Sequence, residues 1–359
     1  MLMLVAAGLV GIAFVLSAVL CGVARWVAPT VGLLDSPGGR KAHRAPTPLG
    51  GGVAIWLTTV LILGAGALVL RFDPEALPQG LAMHVGGLWE RIGELAWIMG
   101  LATLVMVMGL CDDRVGLSWK LRLAVQVGLA TIVAAFVSRV TLFPPFSSRL
   151  LTGALTVLWI VGLTNAFNFL DNMDGLAASV GLIAAALFAA AQVAVQSLFV
   201  PAVLLVVAGA LAGFLVHNRY PAKLFMGDAG SNFLGFLLGC LTVAGTFTRG
   251  PYSKFSVLSP LLVMAVPLYD TASVVLIRLR EGRSPFQPDR RHFSHRLVDR
   301  GLTPQRAVWT IDLVTLAGGL GALLLHRATL LGACVIVAQT VCLLGVVAIL
   351  EVSTTRPPE

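Results

Sequence analysis

Between Leu2 and Leu350 the chain returns eleven times to an apolar run long enough to approach the width of a bilayer, with very few charges inside the runs. Read against their polar flanks, the runs lie near 2–24, 49–70, 94–111, 120–137, 150–168, 174–192, 198–217, 231–248, 256–278, 305–325 and 328–350. A hydrocarbon core about 30 Å thick takes about 20 helical residues, and a helix satisfies its backbone polar groups internally where water is absent. The pattern predicts an all-α, polytopic transmembrane helical bundle of about 11 spans. Composition agrees, with 57% of the 359 residues hydrophobic and 12% charged, against roughly 45–50% and 25% in soluble domains. That balance excludes an ordinary soluble globule and a disordered chain. Residues 1–359 read as a single integral-membrane domain whose longest polar segment, the loop 279–304, holds Gly282, Pro285, Pro288 and Pro304 and admits only short helical pieces.

The net charge of +8 would suggest nucleic acid in a soluble protein. In a membrane chain it reports orientation instead, because loops on the cytoplasmic side collect Lys and Arg. With the N-terminus outside, 18 of the 25 Lys and Arg residues fall on the inner side and 7 on the outer. The expectation is a multi-pass membrane protein with its N-terminus outside, a cytoplasmic C-terminus and no nucleic-acid partner. Cys21, Cys111, Cys240, Cys334 and Cys342 lie in apolar runs without a C-x-x-C pair and read as core filler. The first run lacks a basic leader and a convincing cleavage site, so it reads as a retained helix.

Carboxylates are costly inside spans, about 2.5–3.5 kcal/mol each at a helix centre, so their positions carry information. Asp112, Asp113, Asp171, Asp174 and Asp228 all fall at inner helix ends and converge on one membrane face. Asp112-Asp113 closes the third run, where a helix C-terminus would favour basic residues. Asn165, Asn168, Asp171 and Asp174 recur every third residue and share a drifting helical stripe. Asp228 stands between Gly227 and Gly230 before an apolar run, where glycines permit close backbone approach and free helix-start amides can hold phosphate oxygens; a turn with Ser231 as N-cap is the alternative. Several carboxylates without nearby Cys or clustered zinc-type His suit Mg²⁺, with Mn²⁺ as a substitute, and Mg²⁺ completes its shell with water and substrate phosphates. A diphosphate substrate follows, with Lys41, Arg290, Arg291 and Arg296 as candidates to receive its remaining charge. His292 and His295 lie in the same basic loop; Asp270, inside the ninth run, reads as a structural hydrogen-bonding group, and His217 and His326 as span ends.

Two functions of different class put acids in a membrane chain: an enzyme acting on phosphates at the interface, and a cation-coupled secondary transporter. Transporter sites lie near mid-bilayer between broken helices. These acids instead sit at inner ends beside glycines and basic loops, and neither a fixed repeat nor an inverted pair of broken helices is visible. The enzyme reading is taken.

The motifs resemble those of the polyprenyl-phosphate N-acetylhexosamine-1-phosphate transferases, the superfamily of WecA, TagO and MraY. The resemblance rests on Asp35-x-Pro37-x-x-Arg40-Lys41-x-His43, Pro48-Leu-Gly50-Gly51, Asp112-Asp113 and Asn165-x-x-Asn168-x-x-Asp171-x-x-Asp174-Gly175. It continues through Asn218-x-x-Pro221-Ala222 and Phe225-Met-Gly227-Asp228-x-Gly230-Ser231, in family order over most of the chain. It implies Mg²⁺-dependent transfer of a sugar 1-phosphate from a UDP-N-acetylhexosamine, with GlcNAc the expected sugar, to polyprenyl phosphate. UMP would be released and a cell-envelope glycan initiated. By the same analogy Asp112 serves as base for the lipid phosphate with Asp113 in support, and Asp228 with Asn168 holds the metal. Lys41, Asp171, Asp174, Asn218, Phe225, His292, His295 and Arg296 would line the nucleotide-sugar site. The expected partners are the UDP-sugar, polyprenyl phosphate, membrane lipid and, for assembly, a second copy of the chain. Ser294 departs from the family's usual histidine, which the resemblance translates into space beside the sugar pocket and a shifted sugar preference. The eleventh run favours the WecA plan over the ten-helix MraY plan, and an MraY-type muramoyl-pentapeptide transferase is the alternative.

Overall fold

The structure, a computed structural model, describes residues 2–35, 46–72, 85–140, 148–245, 253–284 and 291–352. Its long helices are α1 (Leu2–Val27), α2 (Gly51–Phe72), α3 (Ile92–Val115), α4 (Trp119–Ile132), α5 (Arg149–Leu170), α6 (Leu176–Val193), α7 (Phe199–Asn218) and α8 (Gly227–Ala244). They continue with α9 (Ala265–Arg280), the short α10 (Phe293–Asp299), α11 (Pro304–Leu320) and α12 (Leu330–Val352). Among the described residues nine helical stretches are long and apolar enough to cross a membrane. All eleven predicted runs have helical counterparts, and the two outside that count each differ for a visible reason.

The ninth run is broken: Lys254–Val263 and Ala265–Arg280 meet at 60°. Pro267 lacks the N–H that would bond the Val263 carbonyl, so one rung of the helical ladder at the break has no donor. The eighth run is α8, whose polar first turn dilutes its hydropathy although every residue except Asp228 is buried. α8 is the hub of the bundle and packs against α2, α3 and α5. At its far end Arg91 pairs with Glu94 (2.8 Å) and donates to the Ala244 carbonyl (2.9 Å), placing a cation at the negative end of the helix.

α1 packs along α7 through small residues. A Cβ on Gly209 would stand 2.5 Å from the Val10 carbonyl, and one on Gly213 would run into that of Phe14. Removing both side chains brings the backbones together, as small-x-x-x-small pairs do in lipid. Ser17 Oγ then donates to the Ala210 carbonyl (2.7 Å), and a His217 ring nitrogen lies 3.0 Å from the Ala18 carbonyl. The only sheet among the described residues is a two-residue ladder, Leu34–Asp35 antiparallel to Thr47–Pro48. Cys21 and Cys240 are core filler as expected, whereas Cys111, Cys334 and Cys342 are exposed on outward helix faces; an apolar run does not say which of its faces is inside.

Candidate active site

Asp112 and Asp113 lie inside the last turn of α3 rather than after it, because the helix runs on to Val115 and ends at Gly116, whose N–H bonds the Asp112 carbonyl. Asp113 faces the start of α8: Oδ1 accepts the N–H of Asp228 (2.8 Å) and Oδ2 that of Ala229 (3.1 Å). The local N-cap candidate, Ser231, is therefore replaced by a carboxylate from another helix. The helix starts four residues earlier than Ser231, and its first amides are satisfied across the bundle. Gly227 makes the approach feasible, with φ +73° and its absent Cβ leaving room for Asp113 Oδ2.

Asp112 Oδ2 accepts from Arg122 on α4, and Oδ1 accepts the N–H of Leu117 at 2.6 Å. The same Arg122 nitrogen lies 3.5 Å from Asp228 Oδ2, so one guanidinium joins the acids of α3 and α8. Asp228 keeps 34% of its side chain exposed. Its Oδ1 accepts from Asn168 Nδ2 (2.6 Å), which also reaches Ser231 Oγ (3.2 Å). Beneath this layer a buried amide chain runs from Asn165 Nδ2 to Gln126 Oε1 (2.7 Å), from Gln126 Nε2 to Asn232 Oδ1 (3.0 Å), and from Asn232 Nδ2 to the Asp228 carbonyl (2.8 Å). Three helices are thus locked in register behind Asp228.

Asp171 caps the C-terminus of α5 and is half-buried. Burial first, then the negative charges of Asp228, Asp113 and Asp174, push its carboxyl up to about 8. Asp174 Oδ2 accepts the N–H of Ala222 (2.9 Å); Asn218 Oδ1 accepts that of Gly175 (3.0 Å) while its Nδ2 donates to the Leu224 carbonyl (2.9 Å). Both side chains brace the two turns that frame the acids, and Asn218 is buried with its amide spent on backbone. Phe225 joins the first inner loop to this frame: its N–H donates to the Pro48 carbonyl (2.9 Å) and its carbonyl accepts from Gly51 (3.0 Å). Lys41 and Arg290 lie outside the described residues.

The histidine segment forms α10. His292 Nδ1 lies 2.9 Å from Asp270 Oδ2, and its ring tilts against Phe169 at 5.5 Å between centroids. Ser294 is 1% exposed and donates to Asn172 Oδ1 at 2.6 Å. The expected space at 294 is therefore filled: the shorter side chain fits a buried contact with the turn that carries Asp171. His295 lies on α10, half-buried. Arg296 is committed elsewhere, with Nη2 on Ser273 Oγ (2.7 Å) and Glu351 Oε2 (3.2 Å), so it anchors α10 to α9 and α12 instead of receiving substrate charge. Arg291 pairs with Glu281 at 2.8 Å. The Arg296 pairings reach residues outside the loop, Ser273 and Glu351, which a charge count along that loop does not reveal, whereas Arg291 pairs within it.

The sequence reading missed Arg122, Gln126 and Asn232 as parts of the site. A signal for Arg122 was present: only Gly116, Leu117 and Ser118 separate α3 from α4, so the first turn of α4 must return beside the last turn of α3.

The family model described as Glycosyl transferase family 4 matches residues 95–246, the stretch from α3 through α8 that holds Asp112, Asp113, Asp171, Asp174 and Asp228. A Bacillus subtilis protein named "Probable undecaprenyl-phosphate N-acetylglucosaminyl 1-phosphate transferase" is 32% identical over 314 residues, covering 86% of this chain and 81% of the relative. The chain belongs to glycosyl transferase family 4. Another family member, the decaprenyl-phosphate N-acetylglucosaminephosphotransferase of Mycolicibacterium smegmatis, is 36% identical over 321 residues, with 81% of this chain and 75% of the relative covered. The undecaprenyl-phosphate alpha-N-acetylglucosaminyl 1-phosphate transferase of Escherichia coli is 30% identical over 319 residues, with coverages of 83% and 77%. Within this family-4 chain Asp112, Asp113, Asp171 and Asp228 gather at one end of the bundle, as the motif resemblance led one to expect.

Proposed function

We propose that this protein transfers N-acetylglucosamine 1-phosphate from UDP-N-acetylglucosamine to a membrane polyprenyl phosphate at the cytoplasmic face of the bacterial inner membrane. The observation that carries the reading is the convergence of Asp112, Asp113, Asn168, Asp171 and Asp228, with Arg122 between them, at one end of a membrane bundle. A lipid phosphate is confined to the interface and a nucleotide sugar arrives from water, so a site at the helix ends admits both. The relatives named for GlcNAc transfer to undecaprenyl or decaprenyl phosphate support the choice of both substrates. The excess of Lys and Arg at the site end supports its cytoplasmic orientation.

In the reaction an oxygen of the lipid phosphate forms a bond to the β-phosphorus of the UDP-sugar, the bond from that phosphorus to the bridging oxygen breaks, and UMP leaves. The donor set fits Mg²⁺, with Mn²⁺ as substitute: Asp228 and the carbonyl oxygen of Asn168 are hard oxygen ligands. Bound there, Mg²⁺ would neutralise charge on the diphosphate. Arg122 reaches both Asp112 and Asp228, which places a cation among the acids where a phosphate would enter. Its transfer to phosphate frees Asp112 Oδ2 to accept a proton from the acceptor, while Asp113 holds the Asp228 turn in place.

The test is UMP release by purified protein in detergent with UDP-N-acetylglucosamine, polyprenyl phosphate and Mg²⁺. Release that requires both substrates is expected. Release with UDP-N-acetylmuramoyl-pentapeptide alone among UDP-sugars would overturn the assignment.

A further inference from the structure

Asp270 is 1% exposed in the middle of α9, and both of its oxygens point at the start of α10. Oδ1 accepts the N–H of Phe293 (2.6 Å) and Oδ2 lies 2.9 Å from His292 Nδ1. An ionised carboxylate offers only acceptors, so the proton in the second contact belongs to Nδ1. His292 is itself only 6% exposed, and its ring is held by Phe169, the residue after Asn168. Two residues on, Ser294 ties the same segment to Asn172, the residue after Asp171. The imidazole is thereby placed beside the end of α5 that supplies Asn168 and Asp171, with Nδ1 committed to Asp270 and Nε2 without a hydrogen-bond partner among the described residues.

We infer that Asp270 is a positioning residue that fixes His292 as the Nδ1–H tautomer, so that Nε2 is the ring atom presented to the bound sugar phosphate. The inference rests on the transferase reading for the identity of the ligand, but not for the tautomer. A buried carboxylate behind a histidine costs desolvation, and two N–H donors converging on it offset that cost. A residue serving only to start α10 would need one oxygen; the second is spent on the ring. Asp270→Asn keeps the shape but has one acceptor oxygen for two donors. With that oxygen on the Phe293 N–H, its NH₂ faces Nδ1 and forces the proton to Nε2.

The experiment uses the full chain labelled with ¹⁵N-histidine. There are six histidines, and His292→Asn identifies the signal by its loss. The wild-type ring is expected as Nδ1–H with an unprotonated Nε2, and Asp270→Asn is expected to exchange the two. In the UMP assay Asp270→Asn should lower kcat/KM for UDP-N-acetylglucosamine about 10- to 100-fold, the usual cost of removing a carboxylate that orients a histidine, with KM for the lipid unchanged. Adding Asp270→Asn to His292→Asn should cost nothing further, because a residue acting only through the ring has no effect once the ring is gone. An Nε2–H tautomer in the wild type, or multiplying losses in the double variant, would overturn the inference. The wild-type ring assignment needs neither substrate nor a folded Asp270 variant. An inactive protein with the expected tautomer would count against the transferase reading alone.

Discussion

Replacing Asp113 by Asn tests whether this carboxylate works as a cap for α8 or only as a charge near the chemistry. Its two oxygens accept the first free amides of α8, at 2.8 and 3.1 Å. Asn retains one acceptor and turns an NH₂ toward the other N–H. A hydrogen bond to a charged group contributes about 1.5–3 kcal/mol, and a negative charge at a helix start about 0.3–1 kcal/mol. The expected loss is about 2 kcal/mol, allowing for relaxation of the turn, and 1.4 kcal/mol is tenfold, so opening becomes about 30-fold more frequent. Cys240, fully buried on α8, reports that opening. In a variant whose other four cysteines are replaced, Asp113→Asn should raise the rate of maleimide labelling at Cys240 about 30-fold where labelling follows the open population. Labelling within about twofold of the parent, together with a large fall in turnover, would refute the capping argument and leave Asp113 a purely chemical role.

Asp228→Asn should nearly abolish UMP release at saturating Mg²⁺ while the detergent-solubilised protein stays monodisperse; activity near wild type would remove Asp228 from the metal site. The Asp171 carboxyl, held at about 8 against an ordinary 3.8, binds its proton more tightly folded than unfolded. Its stabilising contribution is complete below about pH 4 and is lost as pH rises through about 8. The thermal midpoint in EDTA should therefore fall from pH 6 to pH 9, with Mg²⁺ reducing the fall; a flat profile would count against this assignment. Ser294→Ala, which removes the bond to Asn172, should lower the thermal midpoint without changing the ratio of kcat/KM between UDP-GlcNAc and UDP-GalNAc. A changed ratio would return position 294 to sugar recognition.

The spans were legible because a helix in lipid must be apolar over its whole length, and the acids because carboxylates at helix ends have few structural reasons to be there. Asp112, Asp113, Asp171 and Asp228 stood out for that reason. What could not be read was pairing at a distance. Arg296 and Arg291 look alike in a basic loop, yet Arg296 closes on Glu351 at the end of α12 while Arg291 pairs inside the loop with Glu281. The cap of α8 is not legible in the sequence, because local sequence offers only a local cap such as Ser231, and Asp113 reaches the helix start from another helix. The break at Met264 had a local cause in Pro267, but a proline within an apolar run does not fix the angle that neighbouring helices impose.

The contact of α1 with α7 also sets a schedule for making the protein. α1 is synthesised well before α7, since the glycines that receive it stand at 209 and 213, about 190 residues later. At about 5–20 residues per second, α1 spends about 10–40 s in the membrane before its docking face exists. Its own composition permits the wait, since the buried part of that face carries only Ala13, Ser17 and Cys21. Insertion of the first helix and its incorporation into the bundle are separate events, and the second cannot precede the synthesis of α7.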